Sequence, residues 1–182
     1  MKQFSLGKFV MLTFAMAIFA AIPKFSSAQD DKEKVMKNSR DAKAAFLKTD
    51  PSLQKFFTDS YGYVIFPNIG KGGIIVGGAA GNGTVYEKGA AVGTANLVQA
   101  TVGAQIGGKA FREVIFFETK DALDRFKNNN FEFSGQISAV ALKSGVSANA
   151  KYAEGVAVFT EDKGGLMAEV SVGGQKFTYK PL

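Results

Sequence analysis

Between Asp31 and Lys48 the apolar residues Val35, Ala42 and Phe46 recur at spacings of seven and four, which places them on one face of a helix. Lys37, Asp41 and Lys48 fall roughly opposite, Arg40 and Lys43 flank the stripe, and neither Gly nor Pro interrupts the run. The pattern predicts a basic amphipathic helix over about 31–48. Such a helix suits an anionic membrane surface, and equally a position on its own domain with a solvated charged face; at a domain edge it does both. Asp50-Pro51 then supplies an N-cap and a first helical residue, so a second short helix is expected, with Leu53, Phe56 and Phe57 on its inner side.

From Tyr61 the period changes. Tyr61–Phe66 is an aromatic and β-branched run that reads as a strand, with Pro67-Asn68 as a turn ending it. Between Gly70 and Gly108 short apolar runs are punctuated by glycine, and Gly81-Asn82-Gly83 reads as a hairpin turn. Phe111–Glu118 is a strand, and Thr119 caps a short helix with Leu123 and Phe126 turned inward. Strands are expected at about 132–142, 155–160, 166–172 and 176–179, the last three as neighbouring hairpins. The predicted fold is α+β: a mainly antiparallel, glycine-rich curved or small barrel-like sheet, with an N-terminal helix and one or two short helices packed on it.

Composition narrows the chemistry. The chain has 182 residues, 21 of them Gly and 17 Phe, and no Cys, His or Trp. One domain with a sizeable core fits that length. Without Cys there is no disulfide or thiolate; without His and Cys the common zinc, copper and haem ligand sets and the His-based nucleophile arrangements fall away. The acid pairs Glu161-Asp162 and Asp121 with Asp124 read as solvated surface, and no carboxylate is expected in an apolar run where burial would raise its pKa. Gly103–Lys109 matches the start of a phosphate-binding loop, but Ala110 stands where that loop needs Ser or Thr, and a strand follows instead of a helix. No enzyme, nucleotide, metal or other cofactor is expected.

Lys2 and Lys8 precede an uncharged run from Phe9 to Ile22, which Pro23 ends; Ser26-Ser27-Ala28 then offers small residues before a cut. Residues 1–28 thus read as a signal peptide, cleaved after Ala28, and 29–182 as a single domain in the periplasm or otherwise associated with the cell envelope. Cleavage removes three lysines, so the net charge falls from +6 to +3. That permits attraction to anionic lipid but lacks the dense basic patch of a nucleic-acid binder.

Ile65-Phe66-Pro67-Asn68-Ile69-Gly70-Lys71-Gly72-Gly73, continued by Gly77-Gly78, resembles the signature of the SYLF lipid-binding domain family, whose core is I-F-P-x-I-x-K-x-G followed by a glycine-rich run. Glu113–Phe126 resembles the family's strand and short helix, and Gly164–Gly174 its closing segment; the likeness covers about Ala42 to Phe177. Ser134–Val140 departs from the family's G-A-D-A-S-V-A stretch, Glu169 replaces a closing glycine, and Asp162-Lys163 replaces a more basic loop. The resemblance implies phospholipid binding at a membrane surface and marks Phe66, Pro67, Gly72, Gly73, Gly77 and Gly78 as motif positions, with Lys71 meeting head groups. Lys109 and Arg112 join it by inference, and Lys37, Arg40 and Lys43 would lie against the bilayer. Actin is not expected as a partner, since the family's actin-linked members are cytoplasmic and carry added SH3 domains. The alternatives are a small integral outer-membrane β-barrel or a structural envelope protein. Continuous apolar runs such as Val114–Phe117, and the helices at 50–57 and 119–127, weigh against the barrel.

Overall fold

The computed structural model describes residues 28–72, 76–102, 109–129, 131, 133, 137–163 and 174–182. The signal-peptide segment, Gly73, most of the partial phosphate loop and the strand expected at 166–172 lie outside them. Helix α1 (Ala28–Thr49) leads through a 3-10 turn (Pro51–Leu53) into α2 (Gln54–Asp59). Strands β1 (Gly62–Gly72), β2 (Val76–Glu87), β3 (Ala90–Val102) and β4 (Lys109–Phe117) follow, then α3 (Lys120–Lys127), β5 (Ala139–Ala141), a 3-10 turn (Val146–Asn149), β6 (Val156–Asp162) and β7 (Gln175–Pro181). Among the described residues the strands form one seven-stranded sheet in the order β5-β6-β4-β1-β2-β3-β7. All pairings are antiparallel except β5 with β6. The α+β class expected from the sequence is the one found.

The local signals at the helices hold. Asp50 accepts from the Ser52 amide at 3.0 Å and caps the turn that Pro51 opens. Thr119 accepts from the Ala122 amide at 3.3 Å and caps α3. Ala42 and Phe46 are buried, and the Ser39 hydroxyl donates to the Ile65 carbonyl at 3.2 Å, so α1 is docked across β1.

Both faces of the sheet are covered. On one, α1 and α2 enclose Tyr63, Ile65, Val114, Phe116 and Phe159; on the other, Val64, Phe66, Ile115, Phe117, Val158 and Phe177 surround α3 and Phe131. This is why β4 carries a continuous apolar run. The sheet curls strongly around α3. Phe126 of α3 lies 5.1 Å from Phe117 on β4 and 5.3 Å from Phe177 on β7. Those strands are four places apart, about 19 Å in a flat sheet.

Three expectations need correction. Pro67-Asn68 does not end β1; the strand runs through it as a one-residue bulge, since both ladders shift register there. Proline has no N–H to give a central strand, and a bulge is where the ladder tolerates it. Gly81-Asn82-Gly83 lies inside β2, and the β2–β3 turn is Lys88-Gly89, with φ of 49° and 82°, the pair of positive values a tight two-residue hairpin uses. Among the described residues of the stretch expected as a strand over about 132–142, only Ala139–Ala141 join the sheet, and Phe133 packs with Phe131 against Phe177 instead. The hairpins expected through 166–172 lie outside the described residues; of their flanking strands, β6 is held by β4, and β7 by β3 on the far side.

Gly81 and Gly83 of β2 make room for the bulge. A β-carbon on Gly83 would stand 2.5 Å from the Ile65 carbonyl oxygen and 2.8 Å from the Phe66 ring. Gly83→Ala is therefore expected to cost about 1–3 kcal/mol in urea unfolding, as overpacking against backbone does. Gly78→Ala, whose new carbon meets nothing nearer than 3.4 Å, should stay within about 0.5 kcal/mol.

Candidate lipid-binding surface

Helix α1 is acidic in its first turns (Asp30, Asp31, Glu33) and basic beyond. The acids complement the partial positive charge of the helix N-terminus. From residue 34 onward Lys34, Lys37, Arg40 and Lys48 are all exposed, with Asp41 as the one acid among them. Lys37 pairs with Asp41 at 3.0 Å one turn on, both well exposed. The outward face is thus a row of cations, and it carries no large apolar side chain.

Lys43 differs from the other two lipid-facing residues expected on this helix. Its ammonium lies 4.5 Å from the centre of the Phe57 ring and 5.2 Å from that of Tyr63, and donates to the Tyr63 hydroxyl at 3.2 Å. Burial lowers its pKa. It seals the α1–α2 junction by cation–π contact and is half-buried.

The remaining expected cations divide between two places. Lys71 and Lys109 stand directly opposite each other at the paired ends of β1 and β4. Arg112 lies on the α1 side of β4, where its Nε is 3.4 Å from Glu161 Oε2 in a largely buried pair. With Asn38, Asp41, Pro67, Asn68 and Lys163 it lines a hollow of about 400 Å³ beneath α1. Lys163 donates to the Asn68 side chain at 3.0 Å, tying the loop after β6 to the bulge. Lys163 and Asn68 are not among the expected site residues; no local signal links positions 95 apart. Of the motif positions, Phe66 is fully buried, Gly72 pairs with Gly78 across β1 and β2, and Gly77 pairs with Thr101. These positions serve the sheet's geometry.

The interior also corrects the expectation about carboxylates. Glu113 is fully buried on the concave face, with its pKa pushed up to about 7 by burial, against a lowering hydrogen bond from Gln175. Gln175 Nε2 donates to Glu113 Oε2 at 3.1 Å, across the curl from β7 to β4. Thr160 faces Glu113 on β6 and Gln99 faces Gln175 on β3; both are buried. This polar centre ties the two arms of the curled sheet together.

Among the described residues no group of three or more acidic side chains is placed to hold a metal ion. Residues 98–180, from the end of β3 to β7, match the Ysc84 family model, described as Las17-binding protein actin regulator. The chain is also 29% identical, over 128 residues, to a protein of Aeromonas veronii named Beta cell expansion factor A. That alignment covers 70% of this chain and 49% of the relative, so the chain spans about half the relative's length. With the motif arrangement above, these matches bear out the resemblance to the SYLF (Ysc84) family read from the sequence.

Proposed function

We propose that this protein is a non-enzymatic, peripheral phospholipid-binding protein of the cell envelope, which meets anionic membrane through the outer face of α1. The exposed row Lys34, Lys37, Arg40 and Lys48 carries this reading. Each basic residue held near an anionic surface contributes about 1 kcal/mol. Contact is electrostatic, without insertion of apolar side chains. Among the described residues, no helix is long and apolar enough to cross a membrane.

The distribution of polar residues favours a peripheral protein over an integral barrel. Helices α1 and α2 cover the outer face of the central strands, and on β3 and β7 that face presents Asn96, Lys176, Thr178 and Lys180 with Val98 as the one exposed large apolar side chain among them. A lipid-facing barrel wall needs an apolar band there. Export rests on the sequence of residues 1–28, and a mature N-terminus at Gln29 in the exported protein is its check.

The deciding experiment is co-sedimentation with vesicles. Binding is expected with anionic phospholipid, weakening as salt rises from about 50 mM to 500 mM, over which the screening length falls from about 14 Å to 4 Å. Salt-independent binding would overturn the surface-electrostatic reading.

A further inference from the structure

A second concavity lies away from α1's outer face. It is a cleft of about 630 Å³ between α2 and the segment from Ser147 to Tyr152, within the size range of small-ligand pockets. Phe56 and Tyr152, 5.3 Å apart between ring centres, form its aromatic floor. Lys55, Asp59, Glu118 and Lys151 stand around it, all exposed. Among the described residues none of these four charges is in an ion pair, whereas Arg112, Lys120, Arg125 and Lys127 on the same domain all are.

The cleft is also preformed. The buried Asp50 carboxylate accepts from the Ser52 hydroxyl at 2.6 Å and from the Ser147 amide at 2.8 Å, and the Ser52 and Ser147 hydroxyls meet at 2.7 Å. Burial pushes Asp50 upward, but these hydrogen bonds outweigh it and hold the carboxyl well below the usual range. Two short 3-10 turns are thereby clamped together, so the cleft's walls need no ordering when something enters.

The floor holds an unsatisfied group. The Tyr152 hydroxyl is buried without a hydrogen-bond partner among the described residues. Its pKa is pushed up to about 12, first by burial and then by the negative charge of Glu118 and Asp59. Buried polar groups are nearly always partnered, and this one lies without a partner in the wall of the cleft. The potential beside it is negative, which selects a cation. Two carboxylates and a phenolic oxygen are acceptors for N–H donors, and the two rings add cation–π attraction. A primary ammonium supplies three such donors; a quaternary one supplies none. Lys55 and Lys151 offer the opposite charge for an anionic group on the same ligand.

We propose that this cleft binds a phosphoethanolamine group, with its primary ammonium at Tyr152, Asp59 and Glu118 and its phosphate at Lys55 and Lys151. A lipid head group and a free phosphoamine share that chemistry. The site uses neither Lys37 nor Arg40, so it stands or falls separately from the surface reading.

Calorimetry on the full chain with soluble phosphoethanolamine is expected to show saturable binding, and phosphocholine should bind about tenfold more weakly. Tyr152→Phe and the pair Asp59→Asn with Glu118→Gln should each lose about tenfold or more, while Lys37→Glu with Arg40→Glu should bind as the wild type does. Neutral vesicles bearing ethanolamine head groups, co-sedimented with wild type and with the Asp59/Glu118 variant, identify the source. Capture of wild type alone assigns the lipid, and soluble binding without capture assigns the free phosphoamine. No saturable binding by about 10 mM, equal affinity for phosphocholine, or full binding by the variants would overturn the proposal.

Discussion

Replacing Glu113 with glutamine is expected to remove most of the domain's pH dependence between about pH 5 and 8, and to stabilise it at the upper end. The folded pKa is raised to about 7 from an ordinary value of 4.5, so between those values the folded state holds a proton that the unfolded chain has released. Stability from the neutral carboxyl is therefore full below pH 4.5 and falls as pH rises through about 7. At 1.36 kcal/mol per unit, the wild type should lose about 3 kcal/mol across that window. For a domain of this size that is a fall in Tm of roughly 6–12 °C. The introduced amide would keep the volume and still accept from Gln175 Nε2, the contact that joins β4 to β7. The variant's Tm should accordingly stay nearly level while the wild type's declines. Parallel declines in both proteins would show that Glu113 is not the titrating group.

What the sequence reveals and what it hides divide along the range of the interactions. The period of α1, the Asp50-Pro51 start and the Thr119 cap depend on residues within a turn or two, and each appears where the pattern places it. The glycines of β2 look like turn residues because their cause, the Pro67 bulge on β1, acts across a strand pair. The true turn is hidden because Lys88 takes the positive φ usually given to Asn or Gly. Glu113 is hidden for a similar reason. A strand buried on both faces has no alternation to reveal its parity, and the partner Gln175 is 62 positions away. The cleft, too, is closed by a contact from Asp50 to Ser147 across 97 positions. Sequence alone groups Lys37, Arg40, Lys43, Lys71, Lys109 and Arg112 as one lipid-binding set, and the fold distributes them over α1, the β1–β4 ends and the hollow under α1.

That distribution gives the vesicle experiment its sharpest form. Lys37→Gln with Arg40→Gln should weaken binding to anionic vesicles about 30-fold at low salt, since two contributions of about 1 kcal/mol each are lost. Reversal of both to Glu adds repulsion of similar size and should weaken it several-hundred-fold, on the order of 4 kcal/mol. Neither change should move the unfolding midpoint much. Both side chains are exposed, and the surface pair Lys37–Asp41 contributes at most about 0.5 kcal/mol. Lys43→Glu is expected to behave in the opposite way. Its ammonium sits over Phe57 and Tyr63, so reversal places a carboxylate against two aromatic faces and unseats the junction of α1 with α2. The cost should appear in urea unfolding, at about 1–2 kcal/mol, with vesicle affinity of the folded protein reduced far less than by the Lys37/Arg40 pair. If instead Lys43→Glu abolishes vesicle binding in a protein of unchanged stability, while the Lys37/Arg40 reversal leaves binding intact, the membrane meets the α1–α2 flank and not the outer row of the helix.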